Sequence, residues 1–257
     1  MTGAAAAPVV QPSAGALLEV TGLRKCYGDK VVLHDIDLRV DQHDVICLIG
    51  SSGSGKSTLL RCLNLLEDVD DGVIAFEGRE ISDPRVDRRA VRARMGMVFQ
   101  AYNLFPHMSV LGNCTLAPRR VHGVPRAEAE QRARDLLARF GLADQVEKHP
   151  DRMSGGQQQR AALVRALCTQ PVLLMLDEIT AALDPELVGE VLTIVRELAE
   201  QGTTMILATH EMAFARDIAT RVCFLDQGRI LEQGPPSEIF SSPREVRTRQ
   251  FLARVLG

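Results

Sequence analysis

An α/β fold built around a parallel sheet is predicted by two patterns in the sequence. Short apolar runs at 45–49, 172–176 and 204–208 alternate with longer stretches of helical periodicity, which is typical of parallel strands covered on both faces. Ahead of them, apolar and polar residues alternate with a period of two along 32–40, which is typical of half-exposed strands. We therefore expect a parallel core preceded by an antiparallel layer.

Each element is placed by its own local pattern. Strands are predicted at 17–20, 32–40, 45–49, 72–76, 96–99, 172–176 and 204–208, followed by a hairpin of 222–226 and 229–233. Helices are predicted at 57–66, 85–94, 125–140, 154–168 and 185–201, and a last helix ends near Leu256.

The composition is that of a globular protein. Of the 257 residues, 46% are hydrophobic and 25% charged, which excludes disordered and fibrous classes. No apolar stretch is long enough to span a membrane, and residues 1–16 are expected to be a disordered Ala/Pro-rich tail rather than a secretory signal. The net charge of −3 predicts no nucleic-acid partner. Six cysteines without a C-x-x-C pair indicate reduced thiols in a cytosolic protein.

A glycine-rich loop follows the apolar run 45–49 and precedes a predicted helix. It matches G-x-x-x-x-G-K-[ST], a loop whose amides surround a phosphate while its lysine neutralises the outer phosphates and its hydroxyl binds Mg²⁺. The alternative is a flexible Ser/Gly linker, which does not fit between a buried strand and a helix. The predicted nucleotide-binding residues are Gly50, Ser51, Ser52, Gly53, Ser54, Gly55, Lys56, Ser57 and Thr58.

Two carboxylates, Asp177 and Glu178, directly follow the apolar run 172–176. Parallel sheets bind their ligands at this end of a strand, where one carboxylate can hold Mg²⁺ and the next can act as general base toward a water. Alone, such a pair is more often a loop start or a helix cap. The phosphate-binding loop upstream favours the catalytic interpretation.

A third motif, Ser154-Gly155-Gly156-Gln157, opens a predicted helix. A serine N-cap followed by two glycines leaves the first helical amides open to an anion. With the phosphate-binding loop, this motif resembles the signature of the ABC ATPase family, over about residues 18–256. The resemblance implies a P-loop NTPase (RecA-like) core with an antiparallel β subdomain, all within 17–252, an α-helical subdomain inserted at about 101–168, and a C-terminal end at 253–257.

The resemblance also implies roles for single residues in ATP hydrolysis. Tyr27 would stack on the adenine, and Gln100 would reach Mg²⁺ and the attacking water. Asp177 would organise Mg²⁺, Glu178 would be the catalytic glutamate, and His210 would contact the γ-phosphate.

In this family, ATP is bound between two domains packed head to tail. The site on one subunit would therefore be completed by the other subunit's Ser154, Gly155, Gly156 and Gln157. Asp184, in the segment that resembles the family's D-loop, is a further implied residue of this site. A second ATPase subunit, in a homodimer that depends on ATP, is the implied partner.

Four further segments resemble the importers of polar amino acids: 59–67, 103–108, 210–212 and 247–252. Phosphate and methionine importers share parts of them. The resemblance implies integral-membrane permease subunits and an extracytoplasmic solute-binding protein as partners, and a peripheral location on the cytoplasmic face of the inner membrane.

Two rival functions are weighed against import. A soluble ABC ATPase acting on ribosomes or DNA is disfavoured by the single ATPase unit and by the absence of coiled-coil heptads between Lys56 and Ser154. A non-catalytic nucleotide-binding regulator conflicts with the intact set Asp177, Glu178 and His210.

The sequence departs from the family's usual residues at four positions. Met153 replaces a Leu, Ala181 a Ser and Gly112 a Glu, and Ile179 replaces a Pro, which we expect to loosen the turn beside Glu178.

Overall fold

The computed structural model describes residues 15–256. The tail predicted at 1–16 lies outside the described residues except for its last two, and Ala16 already belongs to the first strand. The strands are β1 (Ala16–Tyr27), β2 (Lys30–Asp41), β3 (Val45–Ile49), β4 (Asp71–Phe76), β5 (Arg79–Glu80), β6 (Met95–Val98), β7 (Leu173–Asp177), β8 (Met205–Ala208), β9 (Arg221–Asp226) and β10 (Arg229–Gly234). The helices are α1 (Lys56–Leu63), α2 (Arg88–Ala93), α3 (Val110–Arg120), α4 (Arg126–Arg139), α5 (Gly155–Leu167), α6 (Pro185–Glu200), α7 (Met212–Ile218), α8 (Pro236–Ser241) and α9 (Val246–Leu256).

The larger sheet has six strands in the order β10-β9-β3-β8-β7-β6. β3 pairs in parallel with β8 and β9, and β7 pairs in parallel with β6 and β8. Alternate residues of β3 enter two hydrophobic clusters: Cys47 and Ile49 pack with α3 to α6, and Ile46 and Leu48 pack in the other cluster. The predicted parallel sheet buried on both faces is confirmed.

The smaller sheet is antiparallel, with the order β2-β1-β4-β5. Its buried side chains, such as Leu18 and Ile36, share the second cluster with Leu59 and Leu60 of α1. α1 contacts β2 of this sheet and also β7 and β8 of the larger one. The helix after the phosphate-binding loop is therefore held between two sheets.

The structure adds helices that local pattern did not predict, namely α3, α7 and α8. α3 contains Gly112 and Pro118, which both weaken a helix, but its buried residues belong to the main core and their packing offsets that cost. The first helix ends at Leu63 rather than Leu66, because Leu65 has a left-handed φ of 54°. Across residues 15–256, none of the helices combines the length and apolar character that a membrane span requires.

The turn between β9 and β10 is hydrogen-bonded to the backbone of the phosphate-binding loop. The amide of Gly228 donates to Ser54 O at 3.0 Å, and its carbonyl accepts from His34 N at 2.8 Å. Gly228 has a φ of +75°, and a Cβ there would lie 2.1 Å from Val32 O. Only glycine fits this position without moving the backbone.

We expect Gly228→Ala to lower the free energy of unfolding by about 3 kcal/mol, because the cost of the left-handed backbone and the cost of the clash with Val32 O add together. Gly78→Ala is the matched control: Gly78 has a φ of +74° with nothing within 4 Å of its Cβ position, so the backbone strain alone should cost about 1 kcal/mol. Urea unfolding of both variants measures the difference. Equal losses would contradict the supporting role of the turn.

Candidate active site

The phosphate-binding loop connects β3 to α1. Gly50 directly follows β3, and a Cβ there would lie 2.1 Å from Leu225 O, so glycine is required for the close approach. Ser54 N donates to Ser51 O at 3.1 Å, and Gly55 is the N-cap of α1. The loop therefore ends at a helix N-terminus, whose amides and dipole favour an anion.

Lys56 is the first residue of α1, and only 3% of its surface is exposed. Its ammonium group donates to the carbonyl oxygens of Gly50 at 3.0 Å and Ser51 at 3.3 Å. It also lies 3.3 Å from Glu178 Oε1. A buried cation at the mouth of a loop of amides is suited to bind phosphate oxygens.

Ser57 and Asp177 meet although β8 lies between β3, which precedes the loop, and β7, which ends at Asp177. The Ser57 hydroxyl donates to Asp177 Oδ1 at 2.7 Å. Burial raises the pKa of the Asp177 carboxyl, and the hydrogen bond from Ser57 acts in the opposite direction. These are hard oxygen donors, and Mg²⁺ at nucleotide sites is commonly held by one or two protein oxygens together with phosphates of the substrate. The pair therefore fits Mg²⁺.

Glu178 lies between Lys56 and His210. His210 Nε2 is 3.0 Å from the same Oε1 that faces Lys56. Glu178 has a φ of 46°, and its carbonyl accepts from Ala181 N at 3.0 Å. The side chain of Ile179 is 6% exposed, so this turn is held by an inward apolar residue instead of a proline.

The Ser154 motif begins α5 as a capping box. Ser154 Oγ accepts from Gln157 N at 3.3 Å, and Gln157 Oε1 accepts from Ser154 N at 3.1 Å. The amide of Gln157 is therefore satisfied within the chain. The amides of Gly155 and Gly156 occupy the first two helical positions, which have no acceptor within a helix. Of the helical amides that were expected to be open to an anion, those of Gly155 and Gly156 remain.

Three other predicted site residues are exposed. Tyr27 is 45% exposed, with the Lys25 ammonium 5.0 Å from its ring centroid. Gln100 follows β6, and Asp184 is the N-cap of α6. Lys25 and Glu67 lie close enough to Tyr27 to act on the pKa of its phenol. Direct side-chain contacts join Lys56, Glu178 and His210, and join Ser57 with Asp177.

Two residues near the site were missed by sequence reasoning. Tyr102 donates its hydroxyl to Ala182 O at 3.2 Å, and Arg165 binds the carbonyl oxygen of Tyr102 at 3.0 Å. The only available signal was the position of Tyr102, two residues after Gln100. The partners are too far apart in sequence for a local pattern to join them.

A groove of about 870 Å³ opens beside the strand that leads to Gln100. Its lining includes Phe99 and Phe105, and its basic residues include Arg89, Arg120 and Arg165. Phe105 is 43% exposed. An exposed apolar floor with basic residues around it is a surface suited to another protein chain.

A parallel sheet with a phosphate-binding loop after one strand, and with a buried carboxylate beside that loop's hydroxyl, defines a P-loop NTPase. A family model described as "ABC transporter" matches residues 33–181. The chain belongs to the ABC transporter family.

Curated relatives cover almost the whole chain. The glutamine transport ATP-binding protein GlnQ of Geobacillus stearothermophilus is 48% identical over 235 residues, covering 91% of this chain and 97% of the relative. The L-cystine transport system ATP-binding protein TcyN of Escherichia coli K12 is 49% identical over 245 residues, covering 93% and 98%.

Solved structures are similar in fold. The dimeric ATP-binding cassette MJ0796, in a post-hydrolysis state bound to ADP and Pi, has a TM-score of 0.77 at 28% identity and covers 85% of this chain and 98% of that one. CbiO1 from Clostridium perfringens, part of the ABC transporter complex cbiONQ, has a TM-score of 0.79 at 30% identity and covers 94% and 97%. The fold predicted from the sequence, a P-loop NTPase core with an antiparallel β part, is confirmed.

Proposed function

We propose that the chain is the ATP-hydrolysing subunit of an importer for a polar amino acid. The observation that carries the ATPase part is the cluster in which Glu178 Oε1 lies 3.3 Å from Lys56 Nζ and 3.0 Å from His210 Nε2. The names of the relatives, which transport glutamine and L-cystine, support the class of solute. The alternative of a soluble ATPase acting on ribosomes or DNA has no support.

In the proposed reaction, water attacks the γ-phosphorus in line and ADP leaves. Glu178 accepts a proton from the attacking water, while Lys56 and the amides of the phosphate-binding loop bind the phosphate oxygens. Ser57, Asp177 and Gln100 would hold Mg²⁺, which when bound neutralises charge on the phosphates. His210 orients Glu178 and reaches the γ-phosphate.

The proposed site is completed by a second copy of the chain. Ser154 and Gly156 of that copy would bind the γ-phosphate, supported by two helical amides that lack an acceptor within α5. Tyr27 would stack on the adenine and Asp184 would lie at the interface. Because the γ-phosphate joins two chains, its loss on hydrolysis removes the link. ATP binding and hydrolysis would thus close and open the dimer.

The other proposed partners are integral-membrane permeases and an extracytoplasmic solute-binding protein. The groove near Gln100 supports the first, because a permease segment bound there would contact the strand leading to a residue of the ATP site. We place the chain on the cytoplasmic face of the membrane, where ATP is available. A helical subdomain at about 101–168 would carry both the groove wall and the Ser154 motif.

The import function is tested by uptake in cells whose own copy of the gene carries Lys56→Ala. We expect uptake of one or a few polar amino acids from a labelled panel to be lost, because the variant cannot use ATP. Lys148→Ala is the control, since Lys148 is an exposed lysine outside the site. Unchanged uptake of the whole panel, with no integral-membrane protein co-purifying with the chain from solubilised membranes, would exclude the importer.

A further inference from the structure

One tyrosine side chain connects three segments of the proposed ATPase. Tyr102 lies in the turn after Gln100, where its amide donates to Phe99 O at 3.2 Å. Its hydroxyl donates to Ala182 O at 3.2 Å. The hydroxyl oxygen of Tyr102 also lies 3.1 Å from the position that a Cβ on Gly155 would take. The hydroxyl is therefore bonded to the loop after Glu178 and lies beside the start of α5, where glycine leaves room for it.

The backbone of this turn is held in an uncommon conformation. Tyr102 and Asn103 have φ values of 56° and 51°. Residues other than glycine rarely adopt this left-handed backbone conformation. The guanidinium of Arg165, in the last turn of α5, donates to the carbonyl oxygens of both residues. Arg165 thus fixes the direction in which the Tyr102 ring leaves the backbone.

The contacts converge at Gly155. Leu183 Cδ2 and Ala182 O lie 3.8 Å and 3.9 Å from its Cβ position, so a side chain at 155 would meet the tyrosine and the loop together. Burial raises the pKa of the Tyr102 phenol, and the charge of Asp184 raises it further. The hydroxyl stays a neutral donor at physiological pH, as the bond to Ala182 requires.

We propose that Tyr102 is a positioning residue for ATP hydrolysis, whose hydroxyl holds the Ala182 loop and the N-terminus of α5 at a fixed distance from the Gln100 turn. This inference rests on the proposed function. Gln100 would serve the ATP site of its own chain, whereas Gly155 and Asp184 would serve the site shared with the second copy. Tyr102 links the two sites within one chain.

The test is Tyr102→Phe, which removes the hydroxyl and keeps the ring. Loss of one neutral hydrogen bond should lower kcat by about 3- to 10-fold, because the shared site is assembled less often. KM for ATP should change less than about twofold, since the loop around Lys56 is untouched. In the Glu178→Gln background, the same change should lower the fraction of dimer formed at saturating ATP.

Thr193→Val is the matched control. It removes an exposed hydroxyl that donates to Gly189 O at 2.9 Å within α6, and both kcat and dimer formation should stay at wild-type values. An unchanged kcat for Tyr102→Phe would overturn the proposal, and so would a raised KM with unchanged kcat. If the wild-type chain hydrolyses no ATP, or if Glu178→Gln leaves turnover unchanged, the proposed function fails instead.

Discussion

Glu178→Gln is expected to lower ATP turnover by about 100- to 10,000-fold, the usual contribution of a positioned general base. Glutamine keeps the size of the side chain but cannot accept a proton from water. ATP binding should be retained, because the loop, Lys56 and Ser57 are unchanged. Phosphate release at saturating ATP measures turnover, and equilibrium binding of labelled ATP measures affinity.

Glu200→Gln is the control for this change. Glu200 is an exposed carboxylate at the end of α6, so its loss should leave both quantities unchanged. Turnover of Glu178→Gln at the wild-type rate would mean that another group activates the water. The contact of His210 with Glu178 at 3.0 Å would then need a different explanation.

Lys56→Ala is expected to lower both the affinity for ATP and the rate of its hydrolysis. The ammonium is 3% exposed and already bonded to two loop carbonyls, so it is pre-positioned for the phosphates. Losing such charge-assisted hydrogen bonds should weaken ATP binding by about 10- to 100-fold. Losing charge stabilisation at the transferred phosphate should lower kcat by about another 100-fold.

Lys148→Ala is the matched control for charge, because it removes a lysine from an exposed position. Thermal unfolding of the nucleotide-free proteins shows whether each variant folds. A folded Lys56→Ala variant that binds and hydrolyses ATP as the wild type does would exclude the loop as the phosphate site.

The parts of the site that could be predicted are those formed by residues that are contiguous in the sequence. The phosphate-binding loop lies between β3 and α1, and the acidic pair lies at the end of β7, whose last residue is Asp177. Both are local patterns at strand ends, and parallel pairing brings strand ends together. The contact of Ser57 with Asp177 at 2.7 Å follows from that topology. The sheet itself followed from apolar runs buried on both faces.

Contacts between distant segments could not be predicted. The turn at Gly228 supports Ser54, and Arg165 holds the carbonyl of Tyr102, yet no spacing in the sequence joins either pair. α3 was missed because Pro118 opposes a helix locally, while burial against α4 and α5 favours it. Tertiary packing, and not the local helix propensity, determines that such segments fold as they do.

Ile179 stands where the family usually has a proline. Loss of the usual proline predicted a looser turn beside Glu178. In the structure Ile179 is buried in the main core, and the hydrogen bond from Ala181 N to Glu178 O closes the turn at 3.0 Å. The isoleucine thus packs this turn against the core, and the looser turn stays a prediction.

We infer that ATP joins two copies of this chain and that hydrolysis separates them. The most direct measurement is the mass in solution of Glu178→Gln with ATP and Mg²⁺, by sedimentation or light scattering. We predict twice the mass of the 28.1 kDa chain with ATP, and a single chain with ADP or when Lys56→Ala is added. A single chain with saturating bound ATP would contradict the account.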